Sequence, residues 1–197
     1  MENICEEIID IAQKCCADGL LPGNSGLAGN ISFFDRETGR MAITPTSLAY
    51  NSMKPADIAF ISLDGEHLAG GRPSSEWPMH GAIYRAWPDI RAIIHTHSPY
   101  ATAFAVSGMA IPPIMIEMVP VLGGAVQIAP FATPGTPAVG ENAIPALIDR
   151  GAALLANHGA IAIGDTLHRA YIRAACLEEV AKVYSIALSH GNVNFIT

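Results

Sequence analysis

The sequence predicts an α/β fold in which helices flank a mixed, mostly antiparallel central sheet. Short β-branched, apolar runs alternate with amphipathic helical segments along the 197 residues. The connections between these runs combine tight hairpin turns with helical crossovers. The length is sufficient for one domain with a real hydrophobic core, so we expect a single domain over residues 1–197.

The first half of the chain is predicted to contain a helix, two hairpins, a second helix and a buried strand. Residues 3–18 have an apolar helical stripe, and strands are expected in GNISFF and RMAITP. DIAFISLDGEHLAG is typical of a hairpin around its Asp-Gly pair. RPSSEWPMHGAIYRAW is predicted to become helical, with Ser74 or Ser75 as its N-cap, and IRAIIHTH to be a buried strand.

The second half of the chain continues the alternation. SPYATAFAVSG predicts a short helix that ends at Gly108, and PAVGENAIPALIDRG contains another helix. AVQIAPF, AALLANHG and AIAIG are expected to be strands. DTLHRAYIRAACLEEVAKVYSIALSHG predicts a long final helix with a cap at each end.

Composition excludes several classes of function. The formal net charge is −7 and no Lys/Arg block is present, so nucleic acid is not an expected partner. No apolar run reaches membrane-spanning length, and the acidic N-terminus lacks the pattern of a signal peptide. The four cysteines form no C-x-x-C pair and are interpreted as reduced thiols, which favours a cytoplasmic location. With 50% hydrophobic residues, we expect apolar surface to be buried between subunits.

Two histidines separated by one residue suggest a metal site. His95 and His97 end a β-branched run, and side chains two apart on a strand point to the same face. His158 ends another apolar strand and is the candidate third ligand. Three neutral imidazoles suit Zn²⁺, with Mn²⁺, Fe²⁺ or Co²⁺ as alternatives. Glu76 and His80, four apart on a predicted helix, are the main competing pair. Solvent exposure is expected for the remaining histidines His67, His168 and His190.

A group of small polar residues suggests a phosphate site. Serines at a helix start can combine hydroxyl donors with free backbone N–H groups, which favour anions. Each residue alone is typical of an ordinary cap or turn, and Glu76 alone would be assigned to the helix dipole. Together, the candidate phosphate-binding residues are Gly29, Asn30, Thr46, Ser47, Ser74 and Ser75.

In this order, these pieces resemble the class II aldolase/adducin family, and within it the L-fuculose-1-phosphate aldolase type. The resemblance is carried by GLAGNIS, ITPTS, GRPSSEWPMH, IIHTHSPYATAFA, APFATPGT and LLANHGAIAIG, which span nearly the whole chain. It implies a three-layer α/β/α fold. It also implies a homotetramer with active sites at subunit interfaces.

The resemblance implies specific roles for individual residues. His95, His97 and His158 match the zinc ligands of the family, and Glu76 matches its catalytic acid/base. The implied reaction is reversible cleavage of a ketose 1-phosphate into dihydroxyacetone phosphate and an aldehyde. The ketose would be L-fuculose 1-phosphate or a related, deoxy sugar phosphate. The family's phosphate-binding positions match Ser74, Ser75, Gly29, Asn30 and Thr46.

The chain departs from the fuculose-phosphate pattern at two places. Ala28-Gly29-Asn30 stands where those enzymes read S-G-N. Ile116 stands where they have a tyrosine proton donor from the neighbouring subunit, and the adjacent Glu117 is the candidate substitute. We therefore expect a less polar, 5-deoxy ketose 1-phosphate to be used at least as well as fuculose 1-phosphate.

Two alternatives to an aldolase stay open at this point. The first is another reaction on the same scaffold: an epimerase, a decarboxylase or a dehydratase of a sugar phosphate. Related epimerases have Asp where Glu76 stands, which favours the aldolase. The second is an interaction module similar to the adducin head domain, which the complete histidine set argues against.

Overall fold

A single eight-stranded sheet organises the protein. The computed structural model describes residues 2–22 and 28–196, so the first two residues of GLAGNIS lie outside the described residues. Strand order across the sheet is β4-β3-β2-β1-β5-β8-β7-β6. Every neighbouring pair is antiparallel except β6 with β7, which is parallel. The strands are β1 (Asn30–Asp35), β2 (Arg40–Ile43), β3 (Ala59–Ser62), β4 (His67–Ala69), β5 (Ala92–Thr96), β6 (Ile128–Ala129), β7 (Ala152–Leu155) and β8 (Gly159–Gly164).

Helices cover both faces of this sheet. They are α1 (Glu2–Ala17), α2 (Trp77–Ala86), α3 (Pro99–Ser107), α4 (Met118–Leu122), α5 (Pro137–Ala146) and α6 (Leu167–Ser189). One apolar core joins the sheet to α1, α3, α4 and α6, and a second joins the opposite face to α2 and α5. The predicted α/β class, with three layers around a mixed, mostly antiparallel sheet, is thus confirmed.

The structure corrects three details of the predicted elements. The strand expected in AVQIAPF is only two residues long, and Val126 forms an isolated bridge with Ile111 instead. The segment around Glu117 leads into α4, which the sequence did not predict. Neither Ser74 nor Ser75 is the N-cap of α2, because a separate turn over residues 74–77 precedes the helix and Glu76 becomes its N-cap.

The longest helix, α6, is 23 residues long and begins at the Thr166 N-cap, whose hydroxyl accepts a hydrogen bond from the backbone N–H of Arg169. Among the described residues, no helix is both long and apolar enough to cross a membrane.

Helices α2 and α5 approach each other closely at Gly140. A Cβ atom on Gly140 would lie 2.4 Å from the backbone oxygen of Met79 and 2.8 Å from the Cβ of Ala82. Both distances are far shorter than van der Waals contact, so the absence of a side chain sets the spacing of these two helices. Gly81 on α2 differs, because its added Cβ would find no atom nearer than 3.5 Å.

We expect Gly140→Ala to destabilise the protein by about 1–3 kcal/mol, because overpacking must push the two helices apart. The matched variant Gly81→Ala should be neutral or gain about 0.5–1 kcal/mol, since alanine is the better helix former and space is present. Chemical denaturation of both variants measures this. Equal stabilities would contradict the close-packing argument.

Candidate active site

The register between β1 and β5 brings two polar side chains to one edge of the sheet. Asn30, the first residue of β1, lies directly opposite His95 near the end of β5. Along β5, Ile93 packs into the core beneath α2 whereas Ile94 packs into the opposite core. Because side chains alternate, His95 and His97 face the α2 side. The predicted shared face of the two histidines is therefore present, with His97 just beyond the strand end.

His158 reaches the same edge from the hairpin between β7 and β8. Its backbone N–H donates to the oxygen of Leu155 at 3.0 Å, and Asn157 has a left-handed φ of 54°. The next residue must be small: a Cβ on Gly159 would lie 2.3 Å from the backbone oxygen of Thr96. The N-H-G sequence thus makes a tight hairpin whose last turn residue is the histidine.

Glu76 approaches these histidines from the start of α2. It is the N-cap of that helix, but its side chain makes no capping hydrogen bond. The hydroxyl of Ser74 accepts a hydrogen bond from the backbone N–H of Glu76 at 3.3 Å. The carboxylate is therefore directed to the histidines rather than back onto its own helix.

Glu76 and the three histidines form one compact cluster. Their potential ligand atoms all lie within 4.8 Å of one another, so the four residues can hold a metal ion. Glu76 Oε2 is 3.1 Å from His95 Nε2, and Glu76 Oε1 is 3.2 Å from His158 Nε2. His95 Nε2 is also 2.9 Å from His97 Nε2. The side chain of His95 is fully buried, and those of Glu76 and His158 are 12% and 9% exposed.

The hydrogen bond to His95 indicates that a cation belongs in this cluster. His95 Nδ1 lies 2.8 Å from the backbone oxygen of Ala160, which can only accept, so Nδ1 carries the proton. In the neutral ring, Nε2 is then a lone pair that faces the Glu76 carboxylate and His97. His95 Nε2 and Glu76 Oε2 are then two acceptors 3.1 Å apart without a proton between them, and a metal ion bound here would remove their repulsion. A metal-bound histidine typically donates its other N–H to a carbonyl, as His95 does here.

The charges in the cluster also suit a metal ion. Burial, and then the charges that His95 and His158 carry when protonated, lower the pKa of His97 to about 4, which leaves its ring neutral and able to ligate. Burial alone raises the pKa of Glu76, but the hydrogen bonds that His158 and His95 donate when protonated outweigh it and lower that pKa below the usual range. The cluster therefore presents an ionised carboxylate beside three nitrogen donors.

Sequence reasoning missed a buried polar chain behind Glu76. Asn30 Nδ2 donates to Glu76 Oε2 at 3.0 Å, and Asn30 Oδ1 lies 2.5 Å from His80 Nε2. His80 Nδ1 is 2.6 Å from the hydroxyl of Ser32, which is 2.7 Å from the hydroxyl of Tyr84. His80 is thus separated from Glu76 by an amide and is not in the metal-binding group, so the competing Glu76–His80 pair is wrong.

A signal for this chain was present in the sequence. Glu76, His80 and Tyr84 are spaced four apart, which places them on one face of a helix. Asn30 and Ser32 are the polar positions of an otherwise apolar strand. Two matching polar stripes, one on a helix and one on a strand, indicate that the elements pack with these stripes together.

The candidate phosphate-binding residues gather at the same edge of the sheet. The loop after β2 pairs with the loop before α2, because Ser74 N–H donates to Thr44 O at 3.1 Å and Thr46 N–H donates to Arg72 O at 3.0 Å. Gly29 is held beside them by Tyr50, whose hydroxyl donates to its carbonyl at 2.6 Å. Ser74 is buried, whereas Ser47 and Ser75 are exposed. Asn30 differs from the rest, since its amide is already bonded to Glu76 and His80.

The structure does not bring Glu117 to this cluster within one chain. Glu117 is exposed and precedes α4, which packs against α6 in the other helical layer. Burial, and then the charges of Glu117 and Glu179, raise the pKa of Cys176 on α6, which places Glu117 near that helix. Its neighbour Ile116 is 75% exposed. The predicted solvent exposure is confirmed for His67, His168 and His190.

Comparisons with known proteins agree with this geometry. Residues 6–185 match the model of the Class II Aldolase and Adducin N-terminal domain. The chain is 42% identical over 187 residues to the 5-deoxy-D-ribulose 1-phosphate aldolase of Bacillus thuringiensis serovar kurstaki, covering 94% of this chain and 86% of that protein. It is 38% identical over 177 residues to the 5-methylthioribulose-1-phosphate/5-deoxyribulose-1-phosphate aldolase of Rhodospirillum rubrum, covering 90% and 78%.

A solved structure of an L-fuculose 1-phosphate aldolase superposes on the whole chain. The TM-score is 0.93 at 36% identity, and the match covers 100% of this chain and 92% of that one. Sequence, fold and the arrangement of the polar cluster lead to the same conclusion. This chain belongs to the class II aldolase and adducin family, and it is an enzyme of the family's aldolase type, a lyase.

Proposed function

We propose that the protein is a metal-dependent aldolase that reversibly cleaves a ketose 1-phosphate into dihydroxyacetone phosphate and an aldehyde. The observation that carries this proposal is the convergence of Glu76 with His95, His97 and His158 within 4.8 Å. It supplies a cation site and a carboxylate next to it. Cleavage of a bond beside a ketone needs both: charge stabilisation for the enediolate and a group that moves a proton.

The metal proposed for this site is Zn²⁺, with Mn²⁺, Fe²⁺ or Co²⁺ as alternatives. Three imidazole nitrogens suit zinc and leave coordination positions for a substrate. The bound ion would stabilise negative charge on the oxygens of the enediolate. Its proposed ligands are His95, His97 and His158. Because the side chains of His95, His158 and Glu76 are largely buried, few water molecules can compete with the substrate for the ion.

Glu76 is the proposed acid/base. During cleavage the electron pair of the C3–C4 bond passes to C3, and the proton of the C4 hydroxyl leaves as the aldehyde forms. Glu76 takes up a proton from solvent before this step and then gives it to C3, and in the synthetic direction the carboxylate removes that proton and returns it to solvent. For the C4 hydroxyl we keep Glu117 as the proposed proton-transfer residue, contributed by a neighbouring subunit, because within one chain it lies in the other helical layer.

The phosphate is proposed to bind between the two paired loops beside Glu76. Hydroxyl and backbone donors there are numerous, and the second amide proton of Asn30 is available to a substrate while the first is bonded to Glu76. Holding the phosphate end fixes the reacting carbons against the carboxylate, which lowers the barrier through orientation. The residues proposed for this role are Gly29, Asn30, Thr46, Ser47, Ser74 and Ser75.

The proposed substrate is a ketose 1-phosphate whose aldehyde fragment has no additional hydroxyl, such as 5-deoxyribulose 1-phosphate, which would give acetaldehyde. Two relatives carry 5-deoxyribulose 1-phosphate in their names, at 42% and 38% identity. In addition, Ile116 stands where the fuculose-phosphate type has a tyrosine, so a polar partner for the aldehyde end is missing from that position.

The proposed assembly is a homotetramer with active sites at subunit interfaces. Large apolar side chains are exposed on the single chain, including Ile116 at 75% and Val119 at 51%, and burial between subunits would remove them from water. The predicted cytoplasmic location stays a prediction.

The first prediction concerns the substrate. The purified protein should release dihydroxyacetone phosphate from ketose 1-phosphates, and kcat/KM for 5-deoxyribulose 1-phosphate should equal or exceed that for fuculose 1-phosphate. The ratio of the two kcat/KM values is the specificity, and a coupled assay for dihydroxyacetone phosphate measures it. The unphosphorylated ketoses serve as controls for the phosphate site.

Two results of this assay would count against the proposal. A clear preference for fuculose 1-phosphate would refute the role given to the missing tyrosine. Conversion of a ketose phosphate to its epimer without any dihydroxyacetone phosphate would replace the aldolase by an epimerase.

Glu76→Gln should retain fold and metal but lose about 10²- to 10⁴-fold in kcat, the usual contribution of a general acid/base. The matched control is Glu66→Gln, because Glu66 is exposed in the β3–β4 hairpin and far from the cluster. Near-normal turnover by Glu76→Gln would make this glutamate structural.

His97→Ala should lose most of its bound metal, because one of three imidazole ligands is removed. Elemental analysis of the dialysed protein measures the metal content, which we expect to be about one ion per chain in the unaltered protein. His190→Ala, at the exposed end of α6, is the control and should keep its metal. Full metal retention by His97→Ala would disprove the ligand assignment.

A further inference from the structure

A chain of hydrogen bonds between buried polar side chains leads to the Glu76 carboxylate. It runs from Tyr84 through Ser32, His80 and Asn30 to Glu76. We propose that His80 is a positioning residue: it fixes the side-chain amide of Asn30 so that the NH₂ group faces Glu76. His80 is fully buried and is not one of the four candidate metal ligands, and its ring nitrogens contact Ser32 and Asn30, so it acts on Glu76 through Asn30. The inference rests on the proposed function only for its effect on turnover.

The two polar stripes match in length as well as in chemistry. Four residues of a helix rise about 6 Å and two residues of a strand about 6.6 Å. Consequently Glu76 lies beside Asn30 and His80 beside Ser32, and the ring of Tyr84 stacks on Phe34 with centroids 5.3 Å apart. The packing of α2 along β1 therefore sets each contact of the hydrogen-bonded series, from Tyr84 at one end to Glu76 at the other.

One placement of the protons satisfies every hydrogen bond of this chain and makes each donor point toward Glu76. The single proton of the Tyr84 hydroxyl can be shared between two oxygens of Ser32, its hydroxyl at 2.7 Å and its carbonyl at 3.1 Å. The Ser32 hydroxyl then donates to His80 Nδ1, and His80 Nε2–H donates to Asn30 Oδ1. The amide NH₂ is left to donate to Glu76. Every donor thus points toward the anion, an arrangement in which each bond strengthens the next.

The opposite orientation of the Asn30 amide is unfavourable at its Glu76 end. Its oxygen would face the Glu76 carboxylate, so two acceptors would meet 3.0 Å apart. Its NH₂ would face His80 Nε2, which would force the imidazole proton onto Nδ1. The tautomer of His80 and the orientation of Asn30 are therefore coupled, and the Glu76 carboxylate, which can only accept, favours the combination in which His80 Nε2 carries the proton.

Two physical features keep His80 in this role. The residue is fully buried, and burial, together with the charge of His95, lowers its pKa to about 3, so the ring is neutral. Burial also raises the pKa of Tyr84, so its hydroxyl remains a donor. Because a neutral imidazole has one donor and one acceptor, Nε2–H can hold the Asn30 oxygen while Nδ1 accepts from Ser32.

For the reaction, the consequence is that the orientation of the Glu76 carboxylate is held in place. Glu76 has two oxygens: the amide of Asn30 engages Oε2, whereas His158 contacts Oε1. A mobile amide would let the carboxylate rotate, and misplacement of an acid/base reduces turnover more than it reduces binding. Loss of the His80 donor should therefore lower kcat with a smaller change in KM.

A pair of variants of similar size tests this inference. His80→Gln keeps an N–H donor near the position of Nε2, whereas His80→Met keeps the volume and removes the donor. We expect His80→Met to lose about 10- to 100-fold in kcat, with KM changed by less than about threefold and metal content retained. His80→Gln should recover most of the lost kcat. Equal kcat for the two variants would overturn the inference, as would a loss confined to melting temperature or metal content.

Ser32→Ala gives a second test should His80→Met not fold. It removes the donor to His80 Nδ1 with a small change in volume, and we expect a several-fold lower kcat at unchanged metal content. A kcat equal to that of the unaltered protein would contradict a contribution of the Ser32 donor to holding His80 in this tautomer.

A spectroscopic readout separates this inference from the proposed reaction. The ¹⁵N chemical shifts of the His80 imidazole in the unaltered, metal-loaded protein report which nitrogen carries the proton. We expect a protonated Nε2 and an unprotonated Nδ1, with the Nδ1 signal displaced in Ser32→Ala. A proton on Nδ1 in the unaltered protein would overturn the inference even where the aldolase assay succeeds. If neither ketose 1-phosphate is cleaved, the proposed function fails while the tautomer still tests the role of His80.

Discussion

The register of β5 between β1 and β8 is the constraint on which the polar cluster depends. It places Asn30 opposite His95 on one side, and on the other it pairs Thr96 with Ala160, just after the hairpin that carries His158. A shift of one residue would turn His95 and His97 into the core beneath α6, because side chains alternate along a strand. The apolar partners of β5 on both faces oppose such a shift, so the hydrophobic core holds the metal-binding geometry.

Close backbone approach is the second requirement at this edge of the sheet. A Cβ on Gly29 would lie 2.4 Å from the His95 carbonyl, and one on Gly159 would lie 2.3 Å from that of Thr96. The strands flanking β5 can therefore begin directly beside its last residues. This closeness draws the carboxylate and the imidazoles together over distances near 3 Å. The glycines contribute no chemistry themselves, but any side chain at these positions would push the ligand-bearing segments apart.

Burial of so many polar groups is costly unless each of them has a partner. Asn30, Ser32 and His80 are all buried between α2 and β1, where an unpaired polar group would cost about 1–3 kcal/mol. Their mutual hydrogen bonds offset this cost and end on the charge of Glu76. Convergence of unprotonated nitrogens with that carboxylate, in contrast, is favourable only around a cation. The protein thus supplies hydrogen-bond partners for the polar chain behind Glu76. The imidazole side of the cluster needs a cation, and a metal ion there fits the lyase chemistry of the family.

The amino-acid sequence by itself determined the fold class, the same-face spacing of His95 and His97, and the family to which the chain belongs. These properties follow from periodicities and motifs that are local in the chain. The sequence did not determine that Glu76 occupies the N-cap position of α2 while its carboxylate contacts the histidines. Nor did it determine that His80 contacts Asn30 rather than joining the candidate metal ligands. The two hydrogen bonds of Asn30, to Glu76 and to His80, join residues 46 and 50 positions apart in the sequence. Only the tertiary structure decided them, because the packing of α2 along β1 selects which side chains of two polar stripes meet.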